Sequence, residues 1–588
     1  MRYIKTTHWT DHTNQQGLLY FAQILNECLF DYTLDTYKPQ ALNVRMLCIE
    51  ALQTIDNIKI GLIKKPNIDP IIEELQWSLN SDFVAKAILG DRLNGIVDNI
   101  NSNKSNIKKL KESIVLLYHF LDNKKYLNEL QITLNKIVPI GKEKENIYKA
   151  TRSYITELIN YGYTTGYIYH RTNRFFFNYD EKFKDTSPKA FFDIFNFEKK
   201  KFTVVYKVSK VFKEFESVAE SLNFKILDEF SVVNLTGDEK KFLETKNAGE
   251  IFIVFENVES LDDNVARLKT EIPLFKIGNL FSFYHHKETP SISQQALVIN
   301  HTDKFALLRD EPIKSIIKKA DIKPKIAAIK VKNLFSDLDL PPNTIYRISR
   351  AIDLHSISLT TEQVENKLLN IWTAIETLIP KDMECGDDRI VQIMKVLIPF
   401  QTLKYINKLI EQAGSDFWHF DNEKSKAILS SVVVKNRESS FHSLAALIMT
   451  TENENKRKEV DELLKIYPLL KFRLFFLNKG LSNGKEIKKL IENHRQKVEW
   501  QIQRIYRVRN LIVHSGKMPS YTNLLVENLH NYFDDFLNYI IDSAIKEKRI
   551  KTINEAILNA QIDCNTQTKN ILSIGDNAIT LDNYKSVL

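Results

Sequence analysis

Apolar residues return every three or four positions across residues 18–29, 42–55, 107–120 and 147–159, and this period predicts amphipathic helices separated by Asn, Lys and Gly from about Gly17 to Tyr161. The next stretch reads differently. Residues 161–179 are crowded with aromatics and predict two strands joined by a turn at Arg171-Thr172-Asn173-Arg174. Strand patterns at 202–208, 251–256 and 295–300 then alternate with helical patterns at 212–222 and 265–268, which reads as α+β. A lysine-rich segment, 318–342, ends in Leu340-Pro341-Pro342-Asn343, and the adjacent prolines place the main domain boundary there. Helical periodicity resumes to about Lys548, and the last forty residues read as a short helix and a polar tail. The expected class is mostly α with an α+β middle region. The expected domains are a helical region at 1–160, an α+β sensor or regulatory module at 161–340, a helical bundle at 341–548 and a tail at 549–588.

Composition narrows this little. Of the 588 residues 43% are hydrophobic and 27% charged, ordinary for a folded chain, so wholesale disorder is excluded. No run of 18 apolar residues occurs, and residues 1–16 lack the apolar segment of a signal peptide, so a cytoplasmic protein without membrane contact is expected. Cys28, Cys48, Cys385 and Cys564 lie far apart with no C-x-x-C pair, which argues against a disulfide framework or zinc knuckle and for small buried hydrophobes. Gly totals only 16, and neither G-x-x-x-x-G-K-[ST] nor G-x-G-x-x-G occurs, so ATP hydrolysis is not expected. The zinc-deaminase and serine-hydrolase patterns are missing too. His285-His286 on a strand-like run has no acid or cysteine at matching spacing, and His8 and His12 have no zincin context, so no metal and no cofactor are expected. The aromatic cluster at 161–179, with His170, Arg171 and Arg174, could stack bases, although a packed hairpin accounts for it as well.

Charge placement says more than charge. Residues 471–517 hold twelve bases against three acids, an excess larger than the net +8 of the whole chain. Such a block forms a solvated helix face or attracts a polyanion, most commonly nucleic acid. It lies on one long predicted helix opened by Asn483-x-x-Glu486 and closed by Gly516. The apolar stripe runs Ile487, Ile491, His494, Val498, Ile502, Ile505, Arg509, Ile512, so Arg509 stands where the period asks for a hydrophobe and needs a partner or a ligand. Asn510 and His514 share a face, from which Arg509 points away. Lys497, Arg504, Arg507 and His514 fall within an arc of roughly 100°, which predicts a phosphate track leading to the imidazole, with Lys517 just beyond it. Arg and His stand at comparable spacing at Arg2/His8, Arg350/His355, Arg437/His442 and Arg507/His514 as well. Asn510 and the preceding basic helix set the last pair, Arg509/His514, apart. About 130 residues upstream, Val364, Leu368, Ile371, Ile375 and Leu378 form the apolar face of a second helix, with Thr360-x-x-Gln363 as its expected cap. Glu376 lies one turn from Trp372 on the edge of that face; it either orients Arg509 or is an exposed helix acid.

The run Arg509-Asn510-x-x-x-His514 resembles the R-[polar]-x(3 to 5)-H signature of the HEPN superfamily (higher eukaryotes and prokaryotes nucleotide-binding), many of whose members are metal-independent ribonucleases. Ser515-Gly516 and the helix Asn370-Ile371-Trp372-Thr373-Ala374-Ile375-Glu376-Thr377-Leu378 resemble the ApeA-like branch, found among bacterial anti-phage proteins. The likeness covers residues 344–548 and implies a C-terminal HEPN-type helical bundle. It implies an endoribonuclease acting in abortive infection, with RNA as substrate, tRNA among the candidates, and a phage-derived trigger sensed by the first 340 residues. HEPN nucleases pair two domains, and one good motif is present here, so the resemblance implies a homodimer. Two other readings stay open, a non-catalytic RNA- or nucleotide-binding module and a dimerising scaffold.

Overall fold

The computed structural model describes residues 6, 8–9, 11, 14–30, 42–177, 183–232, 235, 237–288, 290–302, 305–310, 323–337, 340–361, 363–379, 388–435, 439–519, 521–546 and 550–588. Arg2, His12, Cys385 and Arg437 lie outside them. In chain order the elements used below are α1 (Gln16–Leu29), α2 (Val44–Lys59), α3 (Asp69–Ser81), α4 (Thr165–Phe176), β1 (Lys200–Ser209), β2 (Lys225–Leu227), β3 (Glu250–Ser260), α5 (Asp263–Tyr284), β4 (Ile292–Asn300) and β5 (Phe305–Asp310). They continue with α6 (Pro342–Thr360), α7 (Val364–Leu378), α8 (Arg389–Leu403), α9 (Tyr405–Phe420), α10 (Pro468–Gly480), α11 (Gly484–Ser515), α12 (Thr522–Lys546) and α13 (Ile553–Ile574). The chain is mostly helical, with a small antiparallel sheet in its middle.

Two compact units emerge, one built from residues 1–153, 182–187 and 314–588 and the other from 154–181 and 188–313. The amino-terminal helices and the carboxy-terminal bundle, expected as separate domains, therefore belong to one unit. The α+β stretch is inserted between its two halves.

The inserted unit carries a five-stranded sheet in the order β2-β3-β1-β4-β5, every pairing antiparallel. Alternation along β1 sends Phe202, Val204, Tyr206 and Val208 to the face covered by Ala266, Leu274 and Ile277 of α5, and Val205 to the opposite face with Phe252, Val254 and Leu297. The hairpin expected at 161–179 does not form. Thr164 accepts the Tyr167 amide at 3.2 Å and starts α4 instead. Its aromatics are core: Tyr163 stacks on Tyr167 at 5.6 Å, and Phe176 packs on Phe191 at 4.9 Å. Rings at helical spacing meet one another on a helix face as well as across strands, so aromatic density alone does not select the strand.

In the larger unit Pro341 and Pro342 start a helix rather than merely interrupting one, because proline at the first helical position gives up an N–H that had no partner there. α6 runs on to Thr360, so this residue closes one helix instead of capping the next, and α7 begins after Gln363 without a side-chain cap. Leu368, Ile371, Ile375 and Leu378 are buried as the period requires. They share a core with Val498, Ile502, Ile505 and Val508 of α11 and with residues of α8, α12 and α13. A second core gathers α9, α10, Ile487 of α11 and Ile571 and Ile574 of α13. The segment expected as a short helix and a polar tail does begin with a helix, but one of 22 residues, and it is followed by buried Ile579, Tyr584 and Val587 rather than a polar tail. α11 enters against the end of α13 so closely that a Cβ at Gly484 would lie 2.3 Å from the Ile571 carbonyl oxygen. Among the described residues no helix is long and apolar enough to cross a membrane.

Candidate functional site

α11 is bounded by local chemistry. The Asn483 side chain accepts the Glu486 amide at 2.9 Å, and Gly516, at φ +62°, closes the last turn through its own N–H to the Ile512 carbonyl. The 32 residues between them turn three faces to three environments. The stripe Val498, Ile502, Ile505, Val508 fills the bundle core. His494, on the same stripe, is a half-buried, satisfied imidazole: it stacks flat on Tyr405 at 3.6 Å with Nε2 3.2 Å from the Gln401 carbonyl, and loss of hydration pushes its pKa down to about 4.

The basic face is not a surface. Arg504 sets its Nε 3.1 Å from both Glu50 oxygens and its Nη2 3.0 Å from Glu50 Oε2, and it donates to Glu74 as well. Arg507 donates to Glu50 Oε1 at 2.8 Å. Each guanidinium is about 97% buried, at 3% exposure. Burial pushes the Glu50 carboxyl up, but Arg504 and Arg507 outweigh it and hold Glu50 below the ordinary carboxylate range. Glu74 has Arg504 beside it and Glu50 as a like charge, and burial leaves it raised. Lys497 lines a cavity of about 590 Å³ shared with Trp77, Arg152 and Phe472, its ammonium 5.0 Å from the Trp77 ring. Its surface stays open to that cavity, yet enclosure pushes its pKa down to about 8. The expected phosphate track is therefore corrected at Arg504 and Arg507, which Glu50 of α2 and Glu74 of α3 hold in the interior, while Lys497 stays exposed. Elsewhere in the basic block Arg473 is buried between Glu27 and Asp416, Lys488 pairs with Glu492, and Arg495 with Glu499. Glu27, Asp416, Glu50 and Glu74 thus offset part of the linear charge excess from afar, whereas Glu492 and Glu499 belong to the block itself.

The last turn is different. Arg509 is half-buried and donates from Nη1 to Asn510 Oδ1 at 3.1 Å; among the described residues no carboxylate pairs with it. His514 is exposed at the end of the helix, four residues after Asn510 and on its face. Lys517 is exposed beyond Gly516 and forms no ion pair among the described residues. The Asn510 amide thus links the guanidinium to the face that carries the imidazole. α7 lies alongside, Trp372 meeting Tyr506 at 5.7 Å. Glu376, on the same helix, does not pair with Arg509; it is half-buried, its carboxylate has no ion pair among the described residues, and its backbone carbonyl accepts from Arg389 at 3.3 Å. The expected Glu376–Arg509 contact is not made within the chain, because the Arg509 fork turns to its sequence neighbour.

Sequence reasoning missed Glu50 and Glu74, the residues that decide what the basic face is for. No local pattern marks them, since they lie more than 400 positions from the arginines they hold. His285 and His286 are exposed at the end of α5, not on a strand, and no metal-ligating cluster includes them among the described residues. Comparison with family models, with curated proteins and with solved structures finds no match for the chain.

Proposed function

We propose that Arg509, Asn510 and His514 form half of a metal-independent endoribonuclease site of the HEPN type, completed by the same residues of a second copy of the chain. The observation that carries this reading is the contrast within α11. Arg504 and Arg507 are each held by acids of α2 and α3, whereas Arg509 keeps a half-buried guanidinium whose described partner is a neutral amide, on the same last turns as the exposed His514. A guanidinium placed so, with no carboxylate, suits an incoming phosphodiester.

In the proposed reaction an imidazole takes the proton of the RNA 2′-OH, and the freed oxygen attacks the adjacent phosphorus. The guanidinium forks stabilise the extra charge of the phosphorane. The P–O5′ bond breaks as a second imidazole returns a proton to the leaving oxygen, giving a 2′,3′-cyclic phosphate and a 5′-OH. One imidazole cannot serve both proton steps at once, which is the reason for the second copy. Asn510 holds Arg509 in place, and Lys517 is left as the basic contact for RNA outside the scissile phosphate. Abortive infection triggered by a phage component is the biological role proposed with it, on the ApeA-like resemblance.

The test is incubation of the purified chain with total RNA in EDTA, with and without phage lysate. Wild-type protein is expected to leave cyclic-phosphate ends, and His514→Ala or Arg509→Ala protein, with unchanged circular dichroism, to lose cleavage by about 10²–10⁴-fold. Full cleavage by the folded His514→Ala variant would refute the assignment.

A further inference from the structure

One cluster outside this site has the composition and geometry of a metal centre. α6 carries His355, and α12 carries His530 and Asp534 one turn apart on a single face. The two imidazoles meet nitrogen to nitrogen, Nε2 to Nε2 at 2.8 Å. Asp534 Oδ2 lies 3.4 Å from His530 Nδ1, and Oδ1 lies 4.0 Å from His355 Nε2. One ligand atom from each residue falls within 4.8 Å of the other two.

Two ring nitrogens this close either share a proton or turn both lone pairs on one cation. A carboxylate within reach of both rings supplies the negative charge that favours the cation. Nitrogens bound to one tetrahedral zinc ion at 2.0–2.1 Å stand about 3.3 Å apart, so the two rings need part only slightly from the 2.8 Å found here to admit it. The rings are also held in place. His355 stacks on Phe533 at 5.2 Å and 17°, and the His530 side chain is only 12% exposed. Asp534 is 41% exposed, which leaves room for water as a further ligand.

We propose that His355, His530 and Asp534 bind one divalent ion of the zinc type and thereby fasten α6 to α12. Two imidazoles and a carboxylate are a borderline N,N,O donor set, which suits zinc over calcium or magnesium. The tie joins two helices of one hydrophobic core, so its effect is read in stability and stands apart from the nuclease reading, which uses no metal.

The experiment uses the full chain, stripped with EDTA, freed of chelator and titrated with Zn²⁺ by calorimetry in the absence of RNA. One saturable equivalent and a higher melting temperature are expected, and Co²⁺ in place of Zn²⁺ should give visible ligand-field absorption. His355→Gln and His530→Gln should each weaken Zn²⁺ binding by roughly 100-fold. If either fails to fold by circular dichroism, Asp534→Asn, which preserves shape, supplies the deciding comparison and should weaken binding at least roughly tenfold. Absence of saturable Zn²⁺ binding to folded wild-type protein, or unchanged affinity in the folded variants, overturns the site.

Discussion

Arg507 and Arg509 are two residues apart on one helix and have opposite surroundings. The first is buried against Glu50 and serves as part of an internal ion cluster that joins α11 to α2; the second, half-buried, has no acid beside it among the described residues and donates to Asn510. Residue type and local spacing are nearly the same for both. What differs is cover: α2 and α3 lie over the middle of the helix and bring Glu50, Glu73, Glu74 and Trp77 to it, with Glu73 taking Gln496 and the Trp500 indole. A cationic stretch can therefore be structural in its middle and available for chemistry at its end.

The strongest way to break this comparison is kinetic. Arg509→Ala should abolish cleavage with the fold intact, and an Arg509→Ala protein that cleaves normally would make the two arginines alike. Next in size is the buried cluster. Glu50→Ala leaves two interior guanidiniums with Glu74 alone and should cost about 3–5 kcal/mol in denaturant unfolding. A Glu50→Leu, Arg504→Met, Arg507→Met triple variant should recover much of that, since exchanging the buried ions together for hydrophobes leaves no interior guanidinium unpaired. A loss below about 1 kcal/mol in Glu50→Ala would mean that the middle of α11 is no more fixed than its end.

The same helix offers a pH test of intermediate size. His494 titrates near 4 in the folded chain, below its ordinary value of 6.5, so the unfolded chain takes up the proton first as pH falls. Its contribution is complete above about pH 6.5 and is lost as pH drops toward 4, amounting to roughly 2 kcal/mol at pH 5. His494→Gln should flatten the stability–pH curve in that window, and an unchanged slope would count against a half-buried neutral imidazole. Smallest of all is Arg495, paired with Glu499 on the open face with 60% of its side chain exposed. Arg495→Ala should move the unfolding midpoint by no more than about 0.5 kcal/mol, which sets the baseline for the other arginines.

Much of this was legible along the chain. Asn483 and Gly516 bound α11 where their cap chemistry indicates, the apolar face of α7 is buried as its period requires, and three of the strands lie on their alternating patterns. Each of these is decided within a few residues. The buried carboxy terminus is not legible because its contacts come from other elements, whereas Thr164 and Thr360 are decided locally, the first capping α4 at the Tyr167 amide and the second bonding the Ser356 and Ile357 carbonyls of its own helix.

The amino-acid order alone determined the helical periods, the ends of α11 and the singular position of Arg509 on an apolar stripe, because caps and amphipathic faces depend on neighbours within a turn. Only the tertiary structure decided that Arg504 and Arg507 belong to the interior, that residues 1–153 and 314–588 form one unit, and that His355 meets His530. Burying a charge requires a counter-charge, and which acid supplies it depends on the surfaces that folding presses together, however distant they are along the chain.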